Sequence, residues 1–188
     1  KVGEAAEVGI TRCINGLDIL IAKDENLDLT DREILVEFAN THDLARVSWK
    51  PLKSRRHELP EIIIRRYSSM MDYSVIDVEI PPGGFVQPTA IGEEILREFI
   101  LEHLGRSRSM VDLFSGCGAF SLPIAATGAS VLAVDFEPDQ IAALDQAASR
   151  VKLRQRLRTQ IRNLNRNPLS VGELKNFDCV LLDPPRQG

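Results

Sequence analysis

The chain has 188 residues, 44% hydrophobic and 27% charged, the balance of an ordinary globular protein, and no apolar run approaches the roughly 18 residues that a membrane span needs. Its 23 Lys and Arg against 27 Asp and Glu leave a formal net charge of −4, which argues against coating nucleic acid by bulk electrostatics, because counterion release needs many clustered cations. Cys13, Cys117 and Cys179 form no C-x-x-C pair, so neither a disulfide framework nor a zinc site is expected and a reducing cytoplasm fits.

Residues 8–12 and 17–22 read as strands around Asn15-Gly16, a hairpin signal because both residues tolerate positive φ. Thr30 is the expected cap of a helix, with Glu33 as its capping-box partner, and Ile34, Leu35, Phe38 and Ala39 recur at helical spacing. Residues 45–49 and 61–67 predict two further strands, separated by a basic loop in which Lys50, Lys53, Arg55, Arg56 and His57 lie between or beside Pro51 and Pro60. Residues 75–80 predict another strand. Pro81-Pro82-Gly83-Gly84 then breaks the pattern, dividing the chain into a smaller β-rich α+β region, residues 1–80, and a second domain, residues 81–188.

From about residue 90 helix and strand alternate: helix 90–104, strand 109–114, a glycine turn, helix 120–127, strand 130–135, helix 138–150, a short strand around 159–161 and strand 177–182. Such alternation with continuously apolar strands indicates a parallel sheet covered on both faces, the doubly wound, Rossmann-like α/β arrangement. Arg150, Lys152, Arg154, Arg156, Arg158 and Arg162 read as a solvated face at a helix end.

The central motif is the apolar strand Val111-Asp112-Leu113 running through Phe114-Ser115-Gly116-Cys117-Gly118-Ala119-Phe120 into a helix. Glycines there let the backbone approach a ligand, and a helix N-terminus offers unpaired amides. The next strand ends in Asp135, about 20 residues on, where a carboxylate accepts hydrogen bonds from ribose hydroxyls. The third glycine of the dinucleotide fingerprint is missing, so a nucleoside with a small charged tail has a better claim than a pyrophosphate. At the end of the last strand, Asp183-Pro184-Pro185-Arg186 should project into the same crevice, since doubly wound sheets bind ligands beyond the carboxyl ends of their strands.

Asp-Leu-Phe-x-Gly-x-Gly-x-Phe from Asp112 to Phe120, Asp135, Leu182-Asp183-Pro184-Pro185-Arg186-x-Gly188 and Gly83-Gly84-Phe85-Val86-Gln87 together closely resemble the class I RNA uracil-5-methyltransferases, particularly the branch acting on bacterial large-subunit (23S) ribosomal RNA. The resemblance runs from about Pro82 to Gly188 and implies a class I methyltransferase sheet, incomplete at its C-terminus, with S-adenosyl-L-methionine as cofactor and RNA as partner. It makes Gln87 a cofactor contact, places Phe114, Gly116, Gly118 and Ala119 around the methionine part, gives the ribose to Asp135 and the adenine side to Asn163, and sets Asp183 near the transferred methyl and the target base. At Ala119 the family often has Asn, and at Asn163 usually an acid.

In that family a cysteine thiolate adds to C6 of uracil, which makes C5 nucleophilic enough to take the methyl group, and a base then removes the C5 proton. The nucleophile is expected beyond Gly188, not at Cys13, Cys117 or Cys179, and the cysteines that hold an iron–sulfur cluster in many relatives would precede Lys1, so no metal is expected in this chain. The loop from Lys50 to His57 is the candidate RNA phosphate contact, whereas Trp49 beside it reads as core. Three alternatives stand beside this reading. One is a methyltransferase of tRNA uridine; another is an amino-group methyltransferase, against which Arg186 speaks, since Tyr or Phe would be expected after the paired prolines; the third is a non-catalytic binding module that keeps the cofactor pocket.

Overall fold

The computed structural model describes residues 6–53, 59–66, 69–73 and 76–185. Arg55, Arg56 and His57 of the basic loop, Tyr67, Val75, Arg186 and Gly188 lie outside the described residues. The chain divides into two compact units, one of Lys1–Met71 and Glu79–Gly83, the other of Asp72–Val78 and Gly84–Gly188.

In the first unit, β1 (Glu7–Cys13) and β2 (Gly16–Ala22) form the expected antiparallel hairpin, but its frame differs by one residue. Cys13 pairs with Gly16, so Ile14 and Asn15 make the turn, and Gly16 takes φ +122°, a conformation that glycine alone adopts cheaply. A Cβ there would also meet the Asp43 carbonyl oxygen at 3.2 Å.

Helix α1 (Leu29–Thr41) starts earlier than the Thr30–Glu33 pair predicts. Its cap is Asp28, whose side chain accepts the Asp31 N–H while the Asp31 carboxylate accepts the Asp28 N–H at 3.2 Å. Both pairs have capping-box spacing, and the aspartates prevail because their carboxylates also favour the positive end of the helix dipole. The helix then lays Leu35 and Ala39 against Ile19, Ile21, Leu44, Val47 and Ile64. It also connects β2 to β3 (Arg46–Lys50), which run parallel, and β4 (Glu61–Arg65) pairs antiparallel with β3. Trp49 is buried in β3, in keeping with a core role. β5 (Met70–Asp72), which no sequence pattern announces, pairs with β6 (Asp77–Glu79) in a two-stranded sheet.

A charged pair crosses the β2–β3 register. Asp18 and Arg46 are paired residues of the two strands, are 4% and 1% exposed, and bond through two N–H···O contacts at 3.0 and 2.5 Å. Arg46 also donates to the Ile80 carbonyl oxygen at 3.0 Å. So deep a pair is costly to form and costlier to break, because removing one partner strands the other charge.

In the second unit, helix α2 (Ala90–His103) is capped by Thr89 and precedes a parallel sheet of β7 (Ser109–Leu113), β8 (Ser130–Asp135), β9 (Leu157–Ile161) and β10 (Cys179–Leu182). The spatial order is β10-β7-β8-β9. Helices α3 (Ser121–Ala126) and α4 (Pro138–Arg150) pack on β8 and β9, the latter through Ile141, Leu144 and Ala148, residues three, four and seven apart. On the other face Leu164, Leu169, Leu174 and Phe177 cover Val111 and Val134. Leu174 closes the short helix α5 (Val171–Leu174), which the sequence reading missed. The architecture is the Rossmann-like doubly wound α/β sheet, preceded by a β-rich α+β region. Among the described residues no helix is long and apolar enough to cross a membrane.

Asp18→Ala is expected to lower the unfolding free energy by about 3–5 kcal/mol, whereas replacing Asp18 and Arg46 together by apolar residues of similar volume recovers most of that loss; urea unfolding of the single and double variants checks both.

Candidate functional site

Strand order locates the site. The chain goes from β7 outward to β8 and β9, then returns to lay β10 on the other side of β7. At such a reversal the connections leave β7 and β10 in opposite directions, and a crevice opens beyond their carboxyl ends. β7 ends at Leu113 and β10 at Leu182, paired with each other, so the glycine turn and Asp183 begin on either side of that crevice.

The glycine turn is strained at its entrance. Phe114 has φ +66°, unusual for a bulky residue, and its N–H donates to the Val134 carbonyl oxygen at 2.9 Å. The amides that follow are engaged within the protein: Ser115 N–H also goes to Val134 O, Gly116 N–H to Asp135 Oδ2 at 2.8 Å, and Gly118 N–H to Ser115 O. The sequence predicts a helix N-terminus with free amides; α3 has only six residues and no side-chain cap, and the amides of Phe114, Ser115, Gly116 and Gly118 are already used. A phosphate cradle is therefore not what the turn presents. Gly118, expected to let a ligand approach, is required by packing: at φ +90°, its Cβ would lie 2.3 Å from Leu144 Cδ1.

Asp135 is half-buried at the end of β8 and held from two sides, Oδ2 by Gly116 N–H and Oδ1 by Glu137 N–H at 3.0 Å. Each carboxylate oxygen keeps an unused lone pair, which suits two further hydroxyl donors. On the opposite side of β7, Gln87 Nε2 donates to Asp183 Oδ2 at 3.1 Å. Asp112, wholly buried beneath the turn, accepts the Ser121 hydroxyl at 2.5 Å. Burial pushes its carboxyl up to about 7 against the lowering effect of Ser121, and the charges of Asp183 and Asp135 add to the rise. These three carboxylates thus share one local field.

Gln87 meets Asp183, and Gly116 meets Asp135, one pair on each side of the β7 terminus. Asn163 follows β9, beside the backbone of Asp135, whose carbonyl oxygen accepts Arg162 N–H at 2.8 Å. Its own Oδ1 accepts the Arg166 N–H at 3.1 Å, a local turn that leaves the amide group for other partners. Ala119 is half-buried after Gly118. Sequence reasoning missed Ser115: its hydroxyl is buried without a hydrogen-bond partner among the described residues, an orphan polar atom in the glycine turn. Only tertiary packing reveals it. An orphan hydroxyl and a pre-aimed carboxylate fit a nucleoside with a polar tail.

The thiols are poorly suited to attack. Burial, then Asp135, pushes Cys117 up to about 12, and burial, then Asp18, pushes Cys13 up to about 11. Cys179 is half-buried within β10. Among the described residues no cluster of His, Cys, Asp and Glu is placed to hold a metal ion. The second basic stretch is less of a free solvated face than the sequence suggests. Arg150 donates to Asp77 O, Arg156 to Gly128 O, and Arg162 to Asn167 O, Pro168 O and Glu173, whose carboxyl Arg162 and Ser170 hold at about 2. In the first stretch, Lys53 binds Asp24 through both its backbone N–H and its ammonium.

The second unit thus has the fold of the class I methyltransferases. Residues 79–187 match the model of the family described as Conserved hypothetical protein 95, and the chain belongs to that family. It is 34% identical over 186 residues to an uncharacterized RNA methyltransferase of Agrobacterium fabrum, covering 98% of this chain and 42% of that protein. It is 25% identical over 178 residues to the 23S rRNA (uracil(1939)-C(5))-methyltransferase RlmD of Marinomonas posidonica, covering 92% of this chain and 39% of that one. The chain therefore spans about two fifths of the length of these curated relatives. Among solved structures it is similar in fold to the Pyrococcus abyssi tRNA (uracil-54, C5)-methyltransferase in complex with S-adenosyl-L-homocysteine, with a TM-score of 0.66, 20% identity, and coverage of 92% of this chain and 41% of that one.

Because the folded-state carboxyl of Asp112 sits above its unfolded value, its contribution to stability is complete below about pH 4 and lost as the pH rises through about 7. Asp112→Asn should remove that dependence: the stability of the unmodified chain relative to the variant falls across this window by at most about 1.4 kcal/mol per pH unit, read from urea unfolding at three pH values.

Proposed function

We propose that this chain is the S-adenosyl-L-methionine-binding part of an RNA uracil-5-methyltransferase acting in the cytoplasm on 23S rRNA. The observation that carries the reading is the meeting of Gly116 with Asp135 and of Gln87 with Asp183 on the two sides of the β7 terminus, at the reversal of strand order. The names of the curated relatives, RNA methyltransferases that include a 23S rRNA uracil-C5 enzyme, support the choice of RNA and of uracil.

The cofactor would supply an electrophilic methyl group on a sulfonium sulfur. Asp135 accepts hydrogen bonds from the ribose hydroxyls, with its orientation already set by Gly116 and Glu137. The Ser115 hydroxyl, Phe114, Gly116 and Ala119 frame the methionine part, Gly118 fixes the turn through Leu144, and Asn163 offers its amide to the adenine side. Gln87 and Asp183 lie where the methyl group would meet the base; Asp183, exposed, faces the uracil. The target uridine must leave its stack to reach this crevice, which looped or single-stranded RNA permits at low cost. The buried thiols of Cys13 and Cys117 do not serve as the nucleophile, so the reading assigns that role to a cysteine outside residues 1–188.

Isothermal titration with S-adenosylhomocysteine should show binding that weakens about ten- to hundredfold in Asp135→Ala, the loss expected for charge-assisted hydrogen bonds. No binding by the unmodified chain would remove the cofactor from the reading. For a longer natural chain containing these residues, incubation with methyl-labelled S-adenosylmethionine and either 23S rRNA or tRNA transcripts should label C5 of uridine in the former. Label on an amino group, on tRNA alone, or nowhere points respectively to an amino-group enzyme, a tRNA enzyme or a binding module.

A further inference from the structure

Two glycines of the turn each make room for one side chain of α4. At Gly118 it is Leu144; at Gly116 it is Gln140, whose Oε1 would stand 3.1 Å from an added Cβ. Residues 140 and 144 are four apart and so share one face of the helix, a buried leucine over one glycine and a half-buried glutamine over the other. Packing alone would favour an apolar residue at both places, since Gln140 lies against Gly116 and the buried Cys117. The glutamine has spent little of its hydrogen-bonding capacity. Its Oε1 faces the Cys117 Sγ at 3.8 Å, a weak contact. Burial keeps that thiol protonated, so it donates, and the oxygen rather than the nitrogen of the amide belongs on its side. The Nε2 group has no hydrogen-bond partner among the described residues.

Gly116 is also the residue whose N–H binds Asp135 Oδ2 at 2.8 Å, so the free amide and the half-buried carboxylate lie against the same glycine. One is a donor without a partner; the other is an acceptor with lone pairs to spare. A hydroxyl fits such a pair, because it donates to one group and accepts from the other. An ammonium group would leave the amide N–H groups unused, and a phosphate would be repelled by Asp135.

We infer that Gln140 is a further cofactor-binding residue that reads the ribose: its Nε2 donates to the oxygen of a ribose hydroxyl whose proton goes to Asp135. This rests on the proposed S-adenosyl-L-methionine site and deepens it. A carboxylate alone takes any donor in place of a hydroxyl. With the amide beside it, the group that enters must both give and accept a hydrogen bond, and a nucleoside without that hydroxyl forfeits two bonds at once.

Titration of the full chain with S-adenosylhomocysteine and with its 2′-deoxy and 3′-deoxy forms tests this. Gln140→Leu, which fills the same space over Gly116 without an amide, should weaken S-adenosylhomocysteine about fivefold, the worth of one hydrogen bond. The same substitution should weaken one of the two deoxy forms by less than about twofold, because the hydroxyl that Gln140 would meet is already gone. Gln140→Glu retains an oxygen to face Cys117 and loses both N–H donors. It should weaken S-adenosylhomocysteine at least as much as Gln140→Leu, and if the leucine variant does not fold, the glutamate variant decides by the same difference between ligands. A glutamine that only packs would give equal losses on all three ligands, or none, and either result overturns the assignment while the cofactor site stands. Absence of S-adenosylhomocysteine binding by the unmodified chain overturns both.

Discussion

The hydrogen bond from the Gly116 amide to Asp135 joins two pieces of chain 19 residues apart in sequence and fixes the shape of the crevice between them. It works because β7 and β8 are parallel and in register, so both carboxyl ends reach the same level, and because the turn that begins at Phe114, φ +66°, brings the Gly116 N–H to the end of β8. The strain at Phe114 is the local cost of that turn. The neighbouring strand β8 bears it, since Val134 O anchors both Phe114 and Ser115. Asp112 lies under the same structure, wholly buried, and ties β7 to α3 by accepting the Ser121 hydroxyl.

The two sides of the crevice are secured by different means. On the β8 side the contacts are backbone amides on a carboxylate, short-range and dictated by the turn. On the β10 side the contact runs between side chains, from the Gln87 amide to Asp183. The first arrangement resists deformation; the second adjusts by rotating one glutamine. Under the proposed function the fixed side would take the nucleoside and the adjustable side would face the methyl group, which suits a reaction in which the base enters after the cofactor.

Much of this was legible in the residues. Continuous apolar runs before Asp135 and Asp183 announced parallel strands, and the glycine pair after Leu113 announced a turn, because those signals depend on a few adjacent residues. What escaped the reading depends on contact at a distance. Asp28 and Thr30 are equal candidates for a cap until the helix dipole and the entry of the chain choose between them. β5 and α5, with three and four residues, are too short to display any period. The hairpin frame turned on which residue would accept φ +122°. In α2 Glu93 is buried while Ile91, Ile95 and Phe99 are exposed, an inversion that no local pattern of residues indicates. Asp135 and Asp183 were legible as strand-end carboxylates, whereas the roles expected of Gln87 and Asn163 came from a resemblance, to which the structure adds only their placement.

The contact between Gly118 and Leu144 also bears on how this protein changes over time. A Cβ at 118 would stand 2.3 Å from Leu144 Cδ1 and 3.3 Å from Leu144 Cγ, and the φ of +90° strains any side chain there, so an added methyl group in the turn needs both a shift of Leu144 and a change of backbone conformation. A lineage that exchanges this glycine should therefore show the turn itself rebuilt, not only a smaller residue on α4.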